Sequence, residues 1–190
     1  CLMLGVPQNV TAATGMDALS HAIEAYVASG ATSMTQALAY RAISLIGEAL
    51  PIVVGKGTDV AAREAMALAS YMAGIAFSNA GLGLCHAMSH QIGATYSIAH
   101  GVANAIMLPS VMHYNQLVCK KTYPEIGLAL TGRMMDAAET IRCVQQLIVE
   151  IDLPANLVEA GARKEDFARF AEDALKDPCL AANPRTACKE

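Results

Sequence analysis

Apolar residues recur at spacings of three and four along most of this chain, and the strict alternation of a half-buried strand is nearly absent. A backbone with that period hides its apolar stripe only by packing helix against helix, so the pattern predicts an all-α, multihelical fold. At 190 residues the chain fits one domain, and such a domain buries about 70% of the surface its unfolded form exposes.

Capping signals and breakers divide the pattern into helices. Thr14 with Asp17 has the spacing of a capping box, and Met16, Ile23 and Val27 follow it until Gly30. Ser33 with Gln36 marks a second start, leading through Leu38, Ile43, Leu45, Ile46 and Leu50 to Pro51, which should end or kink the helix. A third helix begins near Thr58, turns Met66, Leu68, Met72 and Ile75 inward, and stops at Gly81 and Gly83. Residues 84–94 read as helical, and another helix runs from His100 to about Tyr114 with a kink at Pro109. Asp136 and Glu139 cap one that ends before Pro154, and Phe167, Phe170, Ala174 and Leu175 line the last. No opening Met and no opening strand are present, and the chain stops at Glu190 soon after Asn183-Pro184-Arg185-Thr186. A piece of a longer protein is therefore expected, with a terminal helix also lost.

Composition narrows the function. Hydrophobic residues make up 54% of the chain and charged ones 16%, against about 25% charged in an ordinary soluble domain. Some apolar surface is expected to meet a partner, a second copy of the chain in the first place. No uninterrupted apolar run reaches the length of about 18 residues a spanning helix needs, and the first ten residues lack the basic region and cleavage site of a signal peptide. The six cysteines, at 1, 85, 119, 143, 179 and 188, form no CxxC pair and no secreted framework. A cytoplasmic protein with reduced thiols is the expectation. A net charge of −4 without a Lys/Arg stripe excludes a nucleic-acid surface and leaves small molecules as ligands.

The chemistry gathers in two short, glycine-rich stretches. Asp17 and His21 are four apart and share a helix face, His86 and His90 repeat that spacing, and His100 follows fourteen residues after His86. Facing helices that line one cavity are a common scaffold for a metal site. A carboxylate with imidazoles suits iron or zinc and disfavours magnesium or calcium, which prefer oxygen ligands; the ligand types do not choose between the first two. Each pair alone has a bland alternative: Asp17 as the capping acid of its own helix, His21 and His86 as hydrogen-bonded core residues. GLGLCH at 81–86 lacks the third glycine of a dinucleotide fingerprint and follows a helical stretch, so it is not a Rossmann loop.

TAATGMDALSHAIEAY at 11–26 and GLGLCHAMSHQIGATYSIAHGVANAIMLP at 81–109 closely resemble the two signature regions of the iron-containing alcohol dehydrogenases, and the likeness extends to FSNAG at 77–81 and NPR at 183–185. The resemblance implies that residues 1–190 are the helical metal-binding domain, with the family's N-terminal NAD(P)-binding α/β domain absent from this chain. It implies Asp17, His21, His86 and His100 as ligands of Fe²⁺, with Zn²⁺ the other candidate. It places His90 beside the substrate without ligation, and Phe77 and Leu82 on the substrate pocket, although a plain core role suits those two as well. His113 has no role in the resemblance and reads as a surface or satisfied histidine.

The implied reaction is hydride transfer between a small primary alcohol or aldehyde and NAD(P), the metal acting as a Lewis acid on the oxygen. His90 is then the candidate for passing the alcohol proton toward solvent. Without its nucleotide domain the isolated chain is expected to be inactive. Two other readings stay open on the sequence: a non-catalytic helical assembly module, and a zinc enzyme of the glycerol dehydrogenase type.

Overall fold

The computed structural model describes residues 2–188, and among these every regular element is helical, without a strand. Cys1 and Glu190, on which the reading of the chain's two ends rests, lie outside the described residues. Eight α-helices follow in order: α1 (Gln8–Val27), α2 (Ser33–Gly55), α3 (Val60–Ala80), α4 (Leu84–Tyr96), α5 (His100–Asn115), α6 (Thr122–Thr131), α7 (Ala137–Glu150) and α8 (Phe167–Ala174). Short 3₁₀ turns at Lys164–Asp166 and Pro178–Ala182 complete the chain. No disulfide joins the described cysteines.

Where starts differ from expectation, the reason is local. α1 begins at Gln8 directly after Pro7, about two turns before the Thr14–Asp17 pair. Thr14 is therefore interior, and its hydroxyl donates back to the Val10 carbonyl at 2.8 Å. Asp17 caps nothing, and its carboxylate is left for other partners. α2 starts one residue earlier than the Ser33–Gln36 box would have it: Thr32 is the N-cap, with Thr35 closing the box at 3.2 and 2.8 Å. The Asp136–Glu139 box of α7 stands as expected, at 2.8 and 3.0 Å.

Prolines bend expectation in the other direction. Pro51 and Pro109 both sit inside continuous helices, so each removes one backbone bond without ending its helix. α6 carried no clear periodic signal, being ten residues long with Pro124 and Gly127 inside it. Leu68, expected inward, is 50% exposed on α3, whereas Met66 and Met72 pack on the core.

α1, α2 and α3 pack mutually, α5 lies across α1, and α6 leans on α2. α2 spans 23 residues with a mean hydropathy of 1.6, long and apolar enough to cross a membrane by length and composition. Half of it is buried, with Ile43, Ile46 and Leu50 facing Met16, Leu19 and Ile23 of α1 in one core cluster. α3 and α4 meet at 107°, which turns the chain back toward α1 and α5. A satellite cluster of Ile92, Ala103 and Phe170 holds α8 against α4 and α5. The closing NPR segment clamps this end: Asn183 exchanges side-chain bonds with Asn115 at 3.0 Å, and Arg185 lies 3.9 Å over the Tyr114 ring.

The α1–α5 crossing is tight enough to demand glycine. A Cβ at Gly101 would stand 2.0 Å from the Ala13 carbonyl oxygen, and backbone cannot yield as a flexible side chain can. We predict that Gly101→Ala lowers unfolding stability by about 1–3 kcal/mol or more, read as a fall in the urea midpoint. Gly74, in the middle of α3, meets nothing within 4 Å. Gly74→Ala should raise the midpoint by about 0.5–1 kcal/mol, the conformational entropy that glycine loses in a helix. Equal effects of the two substitutions would contradict this packing.

Candidate metal centre

Three helices each contribute a pair of polar residues four apart. α1 carries Asp17 and His21, α4 carries His86 and His90, and α5 carries His100 and Asn104. Because side chains four apart stack on one helix face, the crossing of α1, α4 and α5 brings all three pairs to one place. The His86 ring centre is 4.4 Å from that of His21 and 5.3 Å from that of His100, and His100 is 5.5 Å from His90.

Asp17 sits among these rings, with Oδ2 3.6 Å from His21 Nδ1 and Oδ1 3.5 Å from His100 Nε2. One ligand-type atom from each of Asp17, His21 and His86 lies within 4.8 Å of the other two. Burial, then the neighbouring His86, pushes the His21 pKa down to about 4 against an opposing pull from Asp17. Burial likewise lowers that of His100, again with Asp17 opposing. Both rings are thus neutral at pH 7 and keep a nitrogen lone pair to offer. One carboxylate and neutral imidazoles at this spacing fit a borderline divalent cation by donor chemistry.

The other expected residues fall around this cluster. Phe77 stacks on His21 with ring centres 4.5 Å apart and planes 20° from parallel. Leu82 lies in the turn at residues 81–83 between α3 and α4 and is partly exposed. His90 is on the solvent side, and its Nδ1 meets Asp177 Oδ2 at 2.9 Å. His113 is exposed in the last turn of α5, apart from the cluster's contacts.

Sequence reasoning passed over three residues of this cluster. Glu24, only 4% exposed, accepts the Gly83 amide at 3.0 Å and the Cys85 amide at 2.7 Å, and it meets His86 Nδ1 at 2.7 Å. A Cβ on Gly83 would stand 2.9 Å from Glu24 Oε1, so glycine is what lets the carboxylate reach that backbone. The signal was present, since 17, 21 and 24 form one helical stripe. Asn104, fully buried, donates to Asp17 Oδ1 at 2.7 Å, with the same nitrogen 3.2 Å from His86 Nε2 and 3.1 Å from His100 Nε2. It lies four residues after His100, on the same face of α5.

Asp177 is the third, and a separation of 87 residues from His90 left no local sign of it. His90, Asp177 and Cys179 also bring ligand-type atoms within 4.8 Å of one another. Both Asp177 oxygens are committed, however: Oδ2 to His90 and to Gln91 Nε2 at 3.4 Å, Oδ1 to the Cys179 amide at 2.9 Å. This second group reads as a network that holds His90.

Comparison with known proteins identifies the family and the fold. Residues 11–190 match the Fe-containing alcohol dehydrogenase family, C-terminal. The chain is 55% identical over 183 residues to a probable alcohol dehydrogenase, EutG, of Salmonella typhimurium, covering 96% of this chain and 46% of the relative. It is 44% identical over 193 residues to an NAD-dependent methanol dehydrogenase of Bacillus methanolicus, covering 98% and 50%. A crystal structure of a 1,3-propanediol oxidoreductase superposes with a TM-score of 0.94 at 42% identity, covering 98% of this chain and 50% of that one. The chain thus spans about half the length of the curated relatives it matches. A helical fold shared at that TM-score and a family match over nearly all its residues lead to one conclusion: the chain belongs to the iron-containing alcohol dehydrogenase family.

Proposed function

We propose that this chain supplies the metal and substrate site of an NAD(P)-dependent alcohol dehydrogenase, with Asp17, His21, His86 and His100 holding a divalent iron ion. The observation that supports it most is the convergence of one carboxylate and three imidazoles from three separate helices. Relatives named for methanol and for 1,3-propanediol support a small primary alcohol or its aldehyde as substrate. NAD(P) would be held by an α/β domain outside residues 1–190, in the half of the relatives' length that this chain does not span.

The bound cation would supply Lewis acidity toward the alcohol or carbonyl oxygen. The chain's own residues do the rest. Phe77, stacked on His21, gives the cluster an apolar wall that keeps water off the reacting end of a small alcohol. Asn104 holds Asp17 Oδ1 and leaves Oδ2 as the freer oxygen. His90, held at Nδ1 by Asp177, keeps Nε2 for moving the alcohol proton between the site and solvent. Exposure of the His90 side chain at 42% suits that exchange.

Metal analysis of four variants tests the ligand set. Asp17→Ala, His21→Ala, His86→Ala and His100→Ala should each lose near-stoichiometric metal after anaerobic reconstitution with Fe²⁺, and retention in all four would overturn the assignment. His90→Ala should keep its metal, while in the full-length enzyme kcat with alcohol and NAD(P) falls by about 10²–10⁴, the usual contribution of a proton-transfer group. An unchanged kcat would remove His90 from the mechanism. Iron and zinc share this ligand set, and the relative activity of the full-length enzyme reconstituted with each decides which one it uses.

A further inference from the structure

We infer that Glu24 is a positioning residue that sets the tautomer of His86 and thereby tunes the metal centre. This rests on the proposed ligand set and adds to it a residue that does not itself ligate. The two side chains are closed off from water, at 5% and 1% exposure, with Glu24 Oε2 2.7 Å from His86 Nδ1.

The direction of that hydrogen bond follows from what surrounds the Glu24 carboxylate. Glu24 already accepts two backbone N–H groups, from Gly83 and Cys85, one at each oxygen, and a carboxylate in that setting acts as an acceptor. His86 Nδ1 must then carry the proton. At the opposite side Nε2 lies 3.2 Å from the Asn104 amide nitrogen. That amide is oriented independently, since its nitrogen donates to Asp17 Oδ1 at 2.7 Å and its oxygen receives the Cys85 thiol at 3.7 Å. With one of its two hydrogens on Asp17, the amide has one left for His86 Nε2 at 3.2 Å or His100 Nε2 at 3.1 Å, an arrangement compatible with a lone pair on His86 Nε2. The Glu24 contact selects the Nδ1–H tautomer and turns the basic nitrogen toward Asp17, His21 and His100.

Glu24 also ties this ring to α1, the helix that carries Asp17 and His21. A carboxylate hydrogen-bonded to the far nitrogen of a ligating imidazole orients the ring and raises its basicity, and losing such a partner typically costs about 10–100-fold in metal affinity. A purely structural role would be different in kind: Glu24 would matter only as the acceptor that starts α4.

A coupling experiment separates the two. The metal-free full chain is titrated with Co²⁺ as wild type, Glu24→Gln, His86→Ala and the double variant, with thermal melts confirming the fold. Glu24→Gln should bind Co²⁺ about 10–100-fold more weakly than wild type, and the same change should leave unaltered the weaker residual affinity of His86→Ala, titrated at higher Co²⁺. Equal affinity of Glu24→Gln and wild type, or the same loss with His86 absent, would overturn the inference while leaving the ligand set standing. No Co²⁺ uptake by wild type would overturn both. Should Glu24→Gln fail to fold, ¹⁵N chemical shifts of His86 in the wild-type chain decide the matter: Nδ1–H supports the assignment, and Nε2–H overturns it.

Discussion

A buried carboxylate at the junction of α1 and α4 organises the rest of this molecule. An isolated charge in such a place would cost far more than a domain of this size has in net stability. Glu24 is tolerated because the first turn of α4 presents unsatisfied N–H groups and the positive end of its helix dipole, and the His86 imidazole closes the remaining position. The compensation runs both ways, since α4 has no side-chain cap of its own. The helix starts where the glutamate lets it start, and that choice carries His86 and His90 into register with α1.

Around this junction the packing is made of small residues. Ala12, Ala18, Ala22 and Ala25 on α1, and Ala69, Ala73, Ala76 and Ala80 on α3, are almost wholly buried. They let helices approach closely enough that Gly101 touches the Ala13 backbone. Close axes shorten the distance that side chains must bridge, which is why short ones such as Asp17 and Asn104 reach the histidines of other helices. Large side chains hold the far side: Ile43, Ile46 and Leu50 of α2 back α1 from behind. A stiff α1 between an apolar backing and a polar cluster suits the demand that ligands be held before a cation arrives.

The same geometry divides labour among polar groups. Asp17, His21, His86 and His100 face one another, whereas Glu24 holds His86 from behind, Asn104 reaches Asp17 from α5, and Asp177 holds His90 beside them. Hydrogen-bonded supports of this kind are part of a metal site's design as much as the ligands are. The NPR segment extends the arrangement outward, because Asn183 bonds both the Leu84 amide at the start of α4 and the Asn115 side chain at the end of α5. Residues near the chain's end thereby brace the two helices that carry His86, His90 and His100.

The all-helical fold was legible in the three-and-four spacing, because a helix shows its buried face in the order of its residues whatever it packs against. The Asp136–Glu139 cap and the glycine breaks after α3 could be read in the same way, and spacing also marked Asp17 with His21 and His86 with His90 as candidate pairs, each being a matter of residue type and local order; the choice of His86 over His90 came from the family resemblance alone. The start of α1 could not, since Pro7 opens a helix that the Thr14–Asp17 pair imitates from inside. Nor could the passage of α2 through Pro51, where burial of the helix outweighs one lost backbone bond. Tertiary structure alone decided which polar groups meet. Glu24 pairs with a residue 62 positions away and Asp177 with one 87 away, and a one-dimensional order holds no record of a hydrogen bond that exists only after helices cross.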